Sequence, residues 1–143
     1  MLADSWVLDT WTGPSTLDQI ADCLDGLWAH HPEVPNSVRM QVGIATAEIA
    51  ANIVEHAAGR AAVRMRMKVR VLSDQVQVSL SDDGSPAQLD LRAVYLPSEM
   101  AERGRGLAMA HAVLERLRYH RFAFNHWTLH SKRFNPPQAM HTA

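Results

Sequence analysis

The strictest pattern in the chain is an alternation in residues 63–71, which read VRMRMKVRV. Val and Met occupy every second position, and Arg or Lys occupies each position between them. A period of two is that of a β-strand, and a strand with one apolar and one charged face belongs to an antiparallel sheet that is covered on one side only. The rest of the chain must therefore supply a layer that covers the apolar face.

The neighbouring segments extend this strand into a sheet. A turn at residues 73–75, SDQ, is followed by VQVSL, whose apolar residues again alternate, so residues 63–80 predict an antiparallel hairpin. Residues 5–11, SWVLDTW, predict a short first strand. The segments YHRFAF and WTLHSKRF, with a turn at Asn125 and His126, predict a second hairpin.

Three segments have helical periodicity. Ser15 and Asp18 resemble a capping box before a helix that ends near HHPEVP, residues 30–35. Asn36 or Ser37 can cap a second helix that runs to about Gly59. A third helix is predicted for GRGLAMAHAVLERLRY, residues 104–119, with inward positions at Leu107, Ala110, Val113, Leu114 and Leu117.

The order of these elements predicts an α/β (α+β) fold: a two-layer sandwich in which helices cover one face of a mixed, mainly antiparallel sheet. A chain of 143 residues is long enough for one such domain, which we place at residues 1–134, with a disordered tail at 135–143. The formal net charge of −1 gives no general case for direct binding of nucleic acid. No run is apolar enough to span a membrane, the N-terminus has no signal pattern, and Cys23 is the only cysteine, so a cytoplasmic protein is expected.

Three polar features stand out against this background. Glu48, Asn52 and His56 are four residues apart on an otherwise apolar helix, which places them on one face. The segment Asp82-Asp83-Gly84 ends a strand, where a carboxylate can accept hydrogen bonds from an exocyclic amine. The segment Gly104-Arg105-Gly106 begins a helix, whose free N–H groups suit phosphate. Taken singly, each feature has a simpler explanation: a solvated helix face, a turn, and a flexible stop before a helix.

In this order, however, the three features resemble the nucleotide-binding boxes of the Bergerat-fold (GHKL) ATPases. The segments TAEIAANIVEHA, VSLSDDG and RGRGLAMAHAV carry the resemblance, which covers residues 1–134. Within that superfamily, the chain is most similar to the small anti-sigma-factor serine-protein kinases, which are single-domain proteins of similar length.

The resemblance implies a role for each matched residue. Asn52 would bind Mg²⁺ that bridges the ATP phosphates, Glu48 would be the catalytic base, and His56 would lie toward the phosphates or the lid. Asp82 would accept the adenine amino group and Gly84 would let the base approach the backbone. The phosphate-binding residues would be Gly104, Arg105, Gly106 and Leu107, and residues 86–103 would form the ATP lid. Arg103 and Arg105 are candidates for contact with either the phosphates or a partner.

Two positions depart from the family pattern. Where many relatives have a second glycine after the matched Asp82-to-Gly84 segment, this chain has Pro86. Near the last hairpin the superfamily often places a threonine close to adenine. The candidates here are Asn125 and Thr128.

The implied function is that of an ATP-dependent serine/threonine-protein kinase that binds a sigma factor and phosphorylates a STAS-type antagonist, with ATP and Mg²⁺ as cofactors and a homodimer as the common assembly. A switch kinase that controls a phosphatase and a non-catalytic ATP-responsive binding module are the alternatives. The eight histidines form no pattern of zinc ligands. The basic stripe between Arg64 and Arg70 is either a solvated strand face or a docking surface.

Overall fold

A computed structural model describes residues 4–57, 62–84 and 101–134. The elements follow one another as a strand, two helices, two strands, a helix and two strands. Their bounds are β1 (Asp4–Trp11), α1 (Thr16–His30), α2 (Asn36–Ala57), β2 (Arg64–Val71), β3 (Val76–Asp82), α3 (Ala101–Val113), β4 (Leu114–Arg121) and β5 (Asn125–Ser131). The side chains of residues 4, 56, 57 and 101–105 are outside this description, as are the predicted lid up to residue 100 and the predicted tail.

The five strands form one sheet in the order β1-β2-β3-β5-β4, and every neighbouring pair is antiparallel. The predicted α+β sandwich is confirmed, and its sheet is antiparallel throughout the described strands rather than mixed. Strand β2 shows why: its exposed cations and buried Val and Met residues alternate without a break. The buried side chains face the helices, and the charged side chains face away from them.

The core lies between this sheet and α2. Helix α2 buries Val42, Ile49 and Ile53 against the apolar residues of β3, β5 and β4, of which Trp127 is the largest that is fully buried. Helix α1 packs on one flank of α2, and α3 packs on the other side and against β4. Of the tryptophans, Trp28 and Trp127 are buried in the core, whereas Trp11 is 61% exposed at the end of β1.

The third predicted helix is wrong in its second half. Helix α3 ends at Val113 and β4 begins at Leu114, with no residue between them. A β-bulge between Leu114 and Arg116 turns both Leu114 and Leu117 toward the core. Because of the bulge, the buried residues Leu114 and Leu117 of a strand are three positions apart. In the sequence, that spacing of apolar residues indicates a helix.

The turn of the second hairpin is also displaced. Residues 122–124 make the turn, and Phe122 is 85% exposed there. Asn125, predicted in the turn, is instead a buried residue of β5. In a turn, an asparagine amide usually bonds to the nearby backbone; here the Asn125 amide bonds to the side chain of Asp82 instead.

The helix N-termini differ from prediction as well. The Ser15 side chain makes no capping hydrogen bond, and Thr16 Oγ1 instead accepts a bond of 2.8 Å from the Gly13 N–H. Helix α2 already includes Asn36, so the carbonyl of Pro35 accepts the first bond, from the Arg39 N–H. Helix α2 ends at Ala57, and Gly59 lies outside the described residues. Within the described ranges, no helix is both long enough and apolar enough to cross a membrane.

Candidate functional site

Helix α2 presents Glu48 and Asn52 on the flank that faces α3. Both side chains are half-buried, beside a stripe of core residues that includes Ile49 and Ile53. Their partner across the helix interface is Gly106 of α3. A Cβ built on Gly106 would lie 2.9 Å from Glu48 Cδ and would overlap the carboxylate oxygen Oε2. The missing side chain at Gly106 is therefore what lets the Glu48 carboxylate lie against α3.

The predicted phosphate-binding glycines are placed differently from expectation. Gly104 and Gly106 lie inside α3, which begins at Ala101, and do not precede the helix. Only the first four N–H groups of a helix lack an intrahelical partner, so the N–H of Gly106 belongs to the helix ladder. The close approach of Glu48 explains Gly106 instead. Leu107 is fully buried in the core, and the side chains of His56 and Arg105 fall outside the described residues.

The segment 82–84 forms a tight turn around one carboxylate. Asp82 is buried on the helix-covered face of the sheet, and its Oδ1 accepts a hydrogen bond of 2.9 Å from the Gly84 N–H. This is an Asx-turn, which requires an aspartate or asparagine two residues before the donor. A Cβ on Gly84 would lie 3.0 Å from the same oxygen and 3.2 Å from Val63 Cγ1. Asp83 is exposed, and its Oδ1 accepts a bond from the Arg64 N–H.

Asn125 stands beside Asp82 on the neighbouring strand. The two residues are register partners in β3 and β5, and Asn125 Nδ2 donates to Asp82 Oδ1 at 2.9 Å. On its other side, Asn125 Oδ1 accepts bonds from the Tyr119 hydroxyl at 2.5 Å and from Arg121 Nη1 at 3.1 Å. Arg121 Nη1 also donates to the Gly84 carbonyl at 3.0 Å. These five residues form what we call the Asp82 network.

Of the two candidates for the adenine-side position, the structure brings only Asn125 to this network. Thr128 pairs with Ser79 on the opposite face of the sheet, because residues three apart on a strand point to opposite faces. The sequence analysis missed Tyr119 and Arg121. Both lie in a segment that the sequence predicts as a strand, but only the pairing of β4 with β5 shows that they reach Asn125.

The donor set suits magnesium nucleotide. Both recorded hydrogen bonds to Asp82 reach Oδ1, so within the described residues Oδ2 remains to accept from an amino group. An amide oxygen, as in Asn52, is a ligand type that Mg²⁺ takes together with phosphate oxygens and water. Among the described residues, no cluster of three His, Cys, Asp or Glu side chains could hold a metal on its own. A metal at Asn52 would therefore take phosphate oxygens or water as its further ligands.

The pair Glu48 and Asn52 and the pair Asp82 and Asn125 lie on the same side of the sheet. Helix α2, which carries Glu48 and Asn52, packs on β3 and β5, whose ends carry Asp82 and Asn125. An apolar groove of about 290 Å³ lies elsewhere, between α1 and α2, lined by residues such as Leu24 and Trp28. It includes none of the site residues.

The comparison with protein families agrees with this geometry. The family model of the histidine kinase-like ATPase domain matches residues 11–127, which is most of the chain. The chain therefore belongs to the histidine kinase-like ATPase domain family, and it is an ATP-binding domain of the GHKL type. A comparison with curated proteins returned no match.

Proposed function

We propose that this protein is an ATP-dependent serine/threonine-protein kinase that acts as an anti-sigma factor and phosphorylates a STAS-type antagonist in a partner-switching system. The observation that supports it is the relation between Glu48 and Gly106. A carboxylate on α2 is held against the glycine of α3, on the side of the sheet that also carries Asp82. Membership of the ATPase family alone would explain Asn52 and Asp82. It is the carboxylate that gives the site a base.

The residues would divide the reaction between them. Asp82, fixed by Gly84 and Asn125, would orient the adenine through Oδ2. Bound Mg·ATP supplies the phosphoryl group. Glu48 would accept the proton of the substrate's serine or threonine hydroxyl. The hydroxyl oxygen would form the new bond to the γ-phosphorus, and the bond between that phosphorus and ADP would break. Positioning and charge neutralisation supply most of the rate acceleration in such a transfer.

The decisive experiment incubates the protein and its antagonist with labelled ATP. Glu48→Gln keeps the size of the side chain and should bind ATP normally while transferring no label. Asn52→Ala should lose affinity for Mg·ATP in calorimetry. Asp22→Asn, which removes one negative charge from an exposed residue of α1, is the matched control and should behave as the unaltered protein. Undiminished transfer by Glu48→Gln would remove Glu48 from the role of base.

The same assay separates the alternatives. ATP binding without transfer to any antagonist would indicate a non-catalytic binding module. Transfer to an antagonist that then controls a phosphatase, with no sigma factor bound, would indicate the switch kinase. The proposed partners are thus a sigma factor, the antagonist and a second copy of this chain, and sedimentation with and without each would identify the assembly.

A further inference from the structure

The face of the sheet that the helices leave uncovered is strongly basic. On β2 the exposed residues are all cations, and on β4 Arg116 and Arg118 point the same way. Strands β3 and β5 lie between these two columns. The cations of the β2 column are Arg64, Arg66, Lys68 and Arg70.

The strand register fixes how the two columns face each other. Lys68 pairs with Ser79, Ser79 with Thr128, and Thr128 with Arg118, so one row crosses the sheet from cation to cation. Neighbouring strands are about 4.8 Å apart, so three spacings separate the columns by about 14 Å. The side chains between are mostly shorter than Arg or Lys: Gln77, Ser79, Ser81, His126, Thr128 and His130. Long side chains on both sides of a short polar floor make a trough, which we call the basic trough.

Little negative charge balances this trough. Among the outward positions of the paired strands, Asp9 is the acidic residue, and its Oδ1 lies 4.0 Å from Arg66 Nε. Glu115, in the β-bulge, is engaged by Gln75 and Arg133. The whole chain has a formal net charge of −1, so the positive charge of this face is local and is not a property of the whole protein.

His130 lies on the floor, and the neighbouring charges affect its pKa. Burial lowers its pKa, the nearby Arg116 lowers it further, and Arg133 and Arg118 act in the same direction. Glu115 acts in the opposite direction. An anionic ligand in the trough would favour the protonated imidazole.

The shape and the floor distinguish between anionic ligands. Single-stranded nucleic acid needs aromatic side chains on which its bases can stack. On the floor formed by β3 and β5, both wholly described, the outward aromatic rings are the imidazoles of His126 and His130. One face of His126 is already stacked on His120 with ring centroids 5.0 Å apart, and His130 is partly buried, so few ring faces remain for bases. An α-helix with its side chains is about 10–12 Å wide. It therefore fits between columns about 14 Å apart, with a cation available to carboxylates on each flank.

We propose that the basic trough is a docking surface for an acidic α-helix of a partner protein. Like charge disfavours a second copy of the same face as the occupant. The proposal does not depend on the nucleotide site, because the trough and α2 lie on opposite faces of the sheet.

The test uses a labelled, side-chain-stapled helical peptide of about 20 residues with glutamates on both flanks, a length at which helices are stable when constrained. The affinity is measured by fluorescence anisotropy over a range of salt concentrations. Lys68→Gln combined with Arg118→Gln removes one cation from each column. Two exposed ion pairs together correspond to about a tenfold weaker affinity. The matched control is Asn36→Asp combined with Ser37→Glu, which changes the net charge equally on the exposed N-terminus of α2 and should leave the affinity unchanged.

The other outcomes are equally decisive. An unchanged ATP affinity in the trough variant would show that it is folded and that the result is independent of the proposed kinase site. A rise in the pKa of His130 on peptide binding, followed by NMR, would support docking in the trough. Equal binding of a proline-interrupted peptide of the same composition would overturn the proposal that the ligand binds as a helix. Tighter binding of oligothymidylate, lost in the trough variant, would assign the surface to nucleic acid instead. A dimer of the isolated protein that dissociates in that variant would assign it to a second copy.

Discussion

Replacement of Gly106 by alanine separates the stability of the fold from the geometry of the site. Alanine is better than glycine inside a helix by about 1 kcal/mol. Its Cβ, however, would lie 2.9 Å from Glu48 Cδ and closer still to the carboxylate oxygen. The Glu48 carboxylate is the end of a flexible side chain, so it would move aside and the backbone would stay in place.

The expected magnitude follows from these two opposed effects. Moving Glu48 away from its preferred geometry costs about 0.5–1.5 kcal/mol. Gly106→Ala should therefore leave the free energy of unfolding nearly unchanged. Gly43→Ala is the matched control, because Gly43 lies in α2 and a Cβ there would meet nothing within 4 Å. That control should gain about 1 kcal/mol, or a midpoint roughly 3 °C higher.

Urea unfolding of a double-mutant cycle measures the contact directly. In a Glu48→Ala background the obstruction is gone, so Gly106→Ala should then gain the same 1 kcal/mol or so as the control. With Glu48 present, displacement of the carboxylate should slow phosphate transfer by about 100-fold. Equal stabilisation at both glycines with no coupling to Glu48, or full transfer by Gly106→Ala, would refute the proposed contact and its role.

Three further perturbations test other parts of the structure. Tyr119→Phe removes the hydroxyl that donates to Asn125 at 2.5 Å, and it should lower the stability by about 1 kcal/mol and weaken ATP binding in calorimetry. Gln75→Ala leaves the buried Ser131 carbonyl without its donor at 2.9 Å, and it should cost about 1–3 kcal/mol in urea unfolding with no change in ATP affinity. The lowered pKa of His130 means that the unfolded chain binds more protons, so stability should fall as the pH decreases through about 6.5, and His130→Gln should reduce that dependence.

Each of these expectations has an outcome that contradicts it. Unchanged ATP affinity in Tyr119→Phe would show that the Asp82 network does not depend on the tyrosine. Weaker ATP binding by Gln75→Ala would contradict the location of Gln75, which precedes β3 at the end opposite Asp82. A stability that rises on acidification from pH 7 to 5.5, or an identical pH dependence in His130→Gln, would contradict the effect of burial and of Arg116 on the imidazole.

The sequence predicted the parts of the fold that rest on an unbroken period. Residues 64–71 alternate with no exception, and that pattern alone gave the exposed and covered faces of the sheet. The prediction failed at Leu114 and Leu117 because one bulged residue changes the spacing of core positions from two to three. It failed at Asn125 because an amide favours a turn in isolation, and only the neighbouring strand supplies Asp82 as a partner.

The candidate site divides in the same way. Glu48 and Asn52 follow from helical spacing, and the Asx-turn at Asp82 follows from two residues in sequence. The contact of Glu48 with Gly106 joins residues far apart in the chain, and no local pattern encodes it. Tyr119 and Arg121 belong to the site only through the pairing of β4 with β5.

The direct junction of α3 and β4 links two ends of the candidate site mechanically. Gly106, against Glu48, is on α3, and Tyr119, bonded to Asn125, is on β4. Val113 and Leu114 are consecutive, so no loop can absorb a displacement of the helix. A rotation or translation of α3 would therefore be transmitted to the strand, and the surroundings of Glu48 and those of Asn125 would shift as one unit.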